Sequence, residues 1–323
     1  MKIAMITPAP PGARTGNRIT ARRWERILTE LGHSVRVTQA YDGRPCDLMV
    51  ALHARRSFAA AQAYRLKYPG APLVVALTGT DLYRDLPENP EARQSLEMAD
   101  RLVSLHPSAG EGLEPRHAAK VRPILQSAVP PPPGVRRAAR GFPVCVVGHL
   151  RDEKDPFLTA RAVRGVPPAS RIRVLHAGGA LDGSLAQVAR EEERGNPRYR
   201  WLGSLPRWKV RRLLGTSWAM VLSSRMEGGA NVISEAAAAG LPVLASRIAG
   251  SVGLLGSEYP GFFEVGDAGG LMALLLRAEN DPAFLAALRK KMVALADGFR
   301  PARERASWRA LLAEIAARRP VDG

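Results

Sequence analysis

Two carboxylates, a pair of glycines and an asparagine share one short stretch of the chain, Ser223-Ser224-Arg225-Met226-Glu227-Gly228-Gly229-Ala230-Asn231-Val232-Ile233-Ser234-Glu235-Ala236. An apolar run precedes it and a helix-prone run follows, so the glycines fall at a strand-to-helix turn. Glycines there let the backbone approach a ligand closely, and the opening turn of the helix offers unpaired N–H groups and a positive dipole end. Such a turn suits a diphosphate. Glu235, about one helical turn beyond Asn231, is spaced to accept hydrogen bonds from both hydroxyls of a ribose, and Glu227 on the loop is free to face a sugar. Near the start of the chain, Thr7-Pro8-Ala9-Pro10-Pro11-Gly12-Ala13-Arg14-Thr15-Gly16-Asn17-Arg18 joins another apolar run to a helical pattern. Gly16 and Asn17 at that helix opening, with Gly12 in the loop and Arg14 and Arg18 alongside, are expected to grip a phosphate-like group.

The elements that must position these groups alternate regularly. Lys2–Ile6 reads as a short buried strand, and Ile19, Trp24, Ile27, Leu28 and Leu31 recur at helical spacing up to Gly32. Strands are expected at 35–38, 48–52, 73–77 and 102–105, with helices near 58–68 and 92–99 between them. Strands alternating with helices imply a parallel sheet covered on both faces. Pro130 to Pro133, then Gly134 and a basic stretch, break every periodicity. The pattern then restarts, with strands at 144–147, 173–176, 200–202, 219–223 and 243–245 and helices at 156–164, 184–193, 208–214 and 232–239. The reading is α/β: a Rossmann-like domain over 1–134, a second over 135–300, and a helix over 301–323 packing back on the first. Ligands of open α/β sheets sit outside the carboxyl ends of the strands, so the chemistry is expected in a deep cleft between the two.

Bulk composition narrows the classes. Of 47 basic residues 7 are Lys and 40 are Arg, and the formal net charge of +17 attracts anions of every kind. Cys46 and Cys145 are the only cysteines and lack metal-ligand spacing, which argues against a disulfide framework or a structural zinc site. The opening Met1–Thr7 run is too short for a signal peptide, and nowhere do 18 apolar residues follow one another, so no membrane span and a cytoplasmic location are expected.

The form EGGANVISEA, with Glu227 and Glu235 separated by seven residues and followed by AAAGLPVLAS, resembles the E-x7-E signature of family 4 glycosyltransferases with the GT-B fold. The resemblance implies that Glu227 lies near the transferred sugar and Glu235 binds the ribose, with Arg225, Gly228, Gly229, Ala230, Asn231 and Val232 as donor contacts. Val147-Gly148-His149-Leu150-Arg151-Asp152-Glu153-Lys154-Asp155 resembles the family's GRLxxxKG phosphate loop, in which an Arg and a Lys neutralise the departing diphosphate. Lys154 matches; His149 stands at the usual Arg position, and Arg151 is the substitute cation. Fixed cations aimed at developing pyrophosphate charge make a metal or other cofactor unnecessary. Gly178 and Gly179 look like the family's GxG turn, and the Trp201-Leu202-Gly203 segment with Leu205 resembles the part that holds the base. In the first domain His53 matches the place of an active-site His. Thr78, Thr80 and Asp81 occupy the next strand end, where hydroxyls and a carboxylate would serve the sugar or the nucleophile.

Across nearly the whole chain, TPAPPGARTGNRITARRW, YDGRPCDLMVALHARRS, ALTGTDLYRDL, GHLRDEKDPF and NPRYRWLGSLPRWK resemble the selenosugar synthases of selenoneine biosynthesis. This implies transfer of a sugar from a UDP-sugar, preferably UDP-N-acetylglucosamine, to selenophosphate, forming a C–Se bond and UDP. Retention of configuration is expected from the resemblance, since retaining members of this fold often lack an obvious protein nucleophile and none is evident here. A small anionic acceptor suits a wall offering Arg14, Arg18, Arg22, Arg55 and Arg84. Two alternatives stand beside it. A transferase with a lipid or other conventional acceptor would bind liposomes through its first helix. A nucleotide- or RNA-binding protein without activity is motivated by the charge, but no RNP or KH-like motif is visible, and no stable nucleic-acid partner is expected.

Overall fold

The computed structural model describes residues 1–13 and 15–317. The chain divides into two compact units, Met1–Leu125 with the segment from Ala302 onward, and Gln126–Pro301.

In the first unit the elements run β1 (Lys2–Ile6), α1 (Gly16–Glu30), β2 (Ser34–Thr38), β3 (Leu48–Leu52), α2 (Phe58–Lys67), β4 (Leu73–Ala76), α3 (Leu86–Glu88), α4 (Pro90–Met98), β5 (Arg101–Ser104), α5 (Pro115–Ala118) and β6 (Val121–Pro123). One turn of π-helix, Asp81–Asp85, follows β4. The strands form a parallel sheet in the order β2-β1-β3-β4-β5-β6. Every residue of β3 and β4 is buried, as expected for a parallel sheet covered on both faces, whose strands are continuous apolar runs. Because β1 lies between β2 and β3, the connections leaving β1 and β3 diverge and a crevice opens at their carboxyl ends.

The second unit repeats the arrangement with β7 (Phe142–Val147), α6 (Leu158–Arg164), β8 (Ile172–Ala177), α7 (Gly183–Gly195), β9 (Tyr199–Trp201), α8 (Arg207–Thr216), β10 (Ala219–Leu222), α9 (Asn231–Ala238), β11 (Val243–Ser246), α10 (Ala249–Leu255), β12 (Phe262–Phe263), α11 (Ala268–Asn280) and α12 (Pro282–Leu295). Its parallel sheet has the order β12-β11-β10-β7-β8-β9, which puts the divergence between β7 and β10. The proline run lies on this unit: a Cβ on Gly215 of α8 would meet Val135 at 2.7 Å and Pro131 at 3.0 Å.

The last helix, α13 (Pro301–Ala317), joins the core of the first unit. Trp308 meets Trp24 of α1 edge to face, with ring centroids 5.0 Å apart. Beside them the buried Glu304 accepts from Trp24 Nε1 at 3.1 Å and from Arg23 at 3.3 Å. Glu314 takes Arg101 and Arg122 from the β5 and β6 edge, and these two guanidiniums hold its carboxyl down at about 2. Among the described residues no helix is long and apolar enough to cross a membrane.

Candidate functional site

In the second unit the loops after β7 and β10 leave from the point where strand order reverses, and they are latched together there. Ser223 Oγ donates to the backbone oxygens of Lys154 and Asp155, both at 3.0 Å, and the Arg225 amide donates to Glu153 O at 2.8 Å. Across this latch Lys154 Nζ donates to Glu227 Oε1, and Ser224 Oγ donates to the same oxygen at 2.7 Å. Ser224 is itself held by Ser246 of β11, whose hydroxyl donates to its carbonyl at 2.5 Å. A cation and a carboxylate distant in sequence are thus fixed on one another beside the opening of α9.

The neighbouring expected residues fall into distinct roles. Gly228 and Gly229 form the turn into α9; Ala230 and Val232 are buried, so only their backbones are available to a ligand. Asn231 opens α9, its Oδ1 buried without a partner, and Glu235 lies half-buried one turn further. Gly178 cannot be any other residue, because a Cβ there would overlap Gly148 O. Gly179 donates its amide to Nδ1 of His149 at 3.1 Å, so His149 braces the β8 turn from the β7 loop. Trp201 donates to Gly178 O at 2.8 Å, and Leu205 is half-buried after β9. Arg151 pairs only loosely with Glu153, at 3.9 Å, on a half-exposed side chain. Arg225 is held more firmly, donating to Asp155 at 3.0 Å.

The expected residues of the first unit lie on the loops after β1, β3 and β4. His53 ends β3 with φ 76°, a left-handed conformation rare outside glycine and costly for a branched or bulky side chain. Its Nδ1 accepts the Arg56 amide at 3.3 Å, which leaves the proton on Nε2, directed to Thr80 Oγ1 at 3.0 Å. Burial is the main influence on this imidazole and lowers its pKa. Thr78 is half-buried on the loop after β4. Asp81 departs from expectation. Its buried carboxylate accepts the backbone amides of Ala54, Thr78 and Gly79 at 2.7–3.1 Å, so it organises the loop and is not available to the sugar or the nucleophile. Gly16, Asn17 and Arg18 form the first turn of α1, with the N-cap hydroxyl of Thr15 and Nε of Arg18 buried and unpartnered. Gly12 turns the loop at φ 83°, and Arg14 lies outside the described residues.

The model of the family described as "Glycosyl transferases group 1" matches residues 137–296. No curated protein matches the chain in sequence. Among solved structures, sucrose-phosphate synthase from Thermosynechococcus elongatus superposes with a TM-score of 0.80 at 17% identity, over 98% of this chain and 99% of that one. The Anabaena protein HepE superposes in its complex with UDP (TM-score 0.76, 17% identity, 97% and 100% covered) and in its complex with UDP-glucose (0.75, 16%, 97% and 100%). The likeness shows that the two six-stranded parallel sheets are those of a GT-B fold.

Three residues of the second unit shape its loops through contacts and conformations that are not read from a single sequence. Gly250, at the start of α10, touches the backbone of Glu227. Asp155 has φ 38° and bridges Arg161 and Arg225, both at 3.0 Å. It stands where the GRLxxxKG pattern has its glycine, and the left-handed backbone is the reason a glycine suits that place. His176 of β8 donates from Nε2 to Gly148 O at 3.1 Å and accepts from Tyr199 at 2.9 Å; burial drives its pKa down to about 4.

Proposed function

We propose that the chain is a UDP-sugar-dependent glycosyltransferase acting without a metal, with a small phosphate-bearing acceptor, selenophosphate being the one the sequence resemblance names. The observation that carries the reading is the Lys154–Glu227 pair at the divergence of β7 and β10. In this reading Glu235 holds the ribose, the turn at Gly228 and Gly229 and the opening of α9 receive the diphosphate, and Glu227 meets the sugar.

The bond between the anomeric carbon and the diphosphate oxygen breaks, and its electron pair leaves on UDP. Lys154 stabilises that developing charge, together with the N–H groups of the α9 opening; removing one such preorganised donor typically costs about 10²–10³-fold in rate. The selenium of the acceptor attacks from the face that UDP vacates, forming the C–Se bond with retention. His53, neutral at its strand end, orients the sugar or the incoming group. The remaining expected contacts act by holding the reactants in line.

The test is to incubate the purified protein with UDP-N-acetylglucosamine, with and without selenophosphate, in EDTA, and to follow UDP and a selenium-bearing product by mass spectrometry. UDP and product formed together, and lost in folded Lys154→Ala and Glu235→Ala variants, support the reading. Normal turnover in both variants overturns the site. UDP released only with a lipid acceptor overturns the acceptor.

A further inference from the structure

A hydrogen-bonded line crosses three strands of the second unit beneath its glycine turns, and the roles above give it no part in the chemistry. Tyr199 of β9 pairs in register with Val174 of β8, two residues before His176, so the two side chains stand on one face of the sheet. There the phenol oxygen lies 2.9 Å from His176 Nδ1, and His176 Nε2 lies 3.1 Å from the carbonyl oxygen of Gly148, the first residue after β7. Tyr199 and His176 are 3% and 1% exposed, so water does not compete for either bond.

The protons along this line are fixed by its last acceptor. A carbonyl oxygen only accepts, so Nε2 carries the ring proton. Burial keeps the imidazole neutral, which leaves a lone pair on Nδ1 for the phenol to donate to. Burial also pushes the Tyr199 phenol up, so it retains the proton it donates. The other tautomer would set the lone pairs of Nε2 and Gly148 O against each other and leave the phenol proton with no acceptor among the described residues.

The peptide so held is where the loop that carries Lys154 leaves the sheet. Gly178 packs on the same carbonyl with no room for a Cβ, and the Leu150 amide donates to Gly179 O at 3.0 Å. The segment expected to hold the base has bonds of its own: the Gly178 amide donates to Gly203 O and Trp201 donates to Gly178 O, both at 2.8 Å. The line from Tyr199 therefore acts on the diphosphate end of the donor site and not on the base end.

We propose that Tyr199 and His176 are positioning residues for the donor diphosphate: the phenol fixes the imidazole tautomer, and the imidazole fixes the Gly148 carbonyl from which the Lys154 loop departs. The proposal deepens the transferase reading and rests on it for the identity of the ligand; the tautomer itself does not depend on it.

The experiment compares the affinities of the full chain for UDP and for uridine, which lacks the diphosphate, by NMR titration of the wild type, Tyr199→Phe, His176→Leu and His176→Gln. Proton–nitrogen couplings in the ring of His176 read the tautomer. The wild type is expected to show the Nε2–H form, and Tyr199→Phe to bring in the second form. Tyr199→Phe should weaken UDP about threefold to tenfold, the worth of one hydrogen bond, and His176→Leu, which leaves a buried carbonyl unpaired, about tenfold or more. His176→Gln, whose amide donates in place of Nε2, should stay within about threefold of wild type and serves where His176→Leu does not fold. Uridine affinity should stay within about twofold throughout, which a general loosening of the domain would not allow. An Nδ1–H form in the wild type, full UDP affinity in both Tyr199→Phe and His176→Leu, or UDP and uridine weakened in equal proportion overturns the proposal and leaves the donor site standing. A wild type that binds no UDP sinks the transferase reading, and with it the use made of this line, whatever the tautomer.

Discussion

Gly250 lies so close to Glu227 that a Cβ added to it would overlap the Glu227 carbonyl oxygen and stand 3.0 Å from its carbonyl carbon. The obstruction is backbone, which a side-chain rotation cannot relieve. Gly250→Ala is therefore expected to move the loop that carries Glu227. A displacement of about 1 Å at a reacting centre costs on the order of 10²-fold in rate. Steady-state turnover should fall by about that factor while circular dichroism and the melting curve stay near wild type; an Ala variant with full activity would remove Gly250 from the positioning of Glu227.

Asp155 separates two effects that a single substitution would mix. Asp155→Gly and Asp155→Ala both lose the contacts to Arg161 and Arg225, but only the glycine suits φ 38°. The Ala variant should be less stable than the Gly variant by about 1 kcal/mol, the cost of a left-handed backbone for a residue with a Cβ. Urea unfolding of the two proteins reads this difference directly, and equal midpoints would mean that the backbone relaxes.

His176 gives the second unit a sensitivity to acid. Its folded pKa of about 4 lies below the unfolded value of 6.5, because burial penalises the charged ring. The unfolded chain then binds the extra proton first, so stability is lost as pH falls from 6.5 towards 4 and is fully present above 6.5. The shift corresponds to about 3 kcal/mol. Denaturant melts at pH 7.0, 5.5 and 4.5 should show the decline in wild type and a shallower one in His176→Gln. Equal slopes would assign the acid sensitivity elsewhere.

Glu304 is the polar anchor of α13, and its removal strands the buried indole N–H of Trp24 and takes one carboxylate contact from Arg23. Glu304→Ala is expected to cost the first unit about 3 kcal/mol. Hydrogen exchange should report faster opening of α1 and α13 with UDP binding undiminished. Protection equal to wild type in both helices would show the carboxylate to be dispensable.

The expected strands from β1 to β5 and from β7 to β11 lie at their places within a few residues, because each is an apolar run or, as in β2 and β9, an apolar-polar alternation, closed off by glycine, proline or a helix. β6 and β12 have three and two residues, too few to show a period, and α10 and α11 were not anticipated although Gly256 closes the first and Gly266 with the Asp267 N-cap opens the second. The glycine turn before α9 and Lys154 stood out through residue type and spacing alone. What stayed hidden was set by contacts across the sequence: Gly250 against Glu227, His176 beneath Gly148, and the three amides that turn Asp81 inward. The conformations of His53 and Asp155 were equally invisible, since neither residue type announces a positive φ.

The placement of α13 also bears on how the protein comes off the ribosome. Trp24 emerges long before its edge-to-face partner Trp308, with the whole second unit made between them. At ordinary translation speeds the interval between Leu125 and Trp308 is about 10 to 40 s. Through that time the nascent N-terminal sheet waits with an apolar groove along α1 unfilled, while the inserted second unit has all its own strands available to fold.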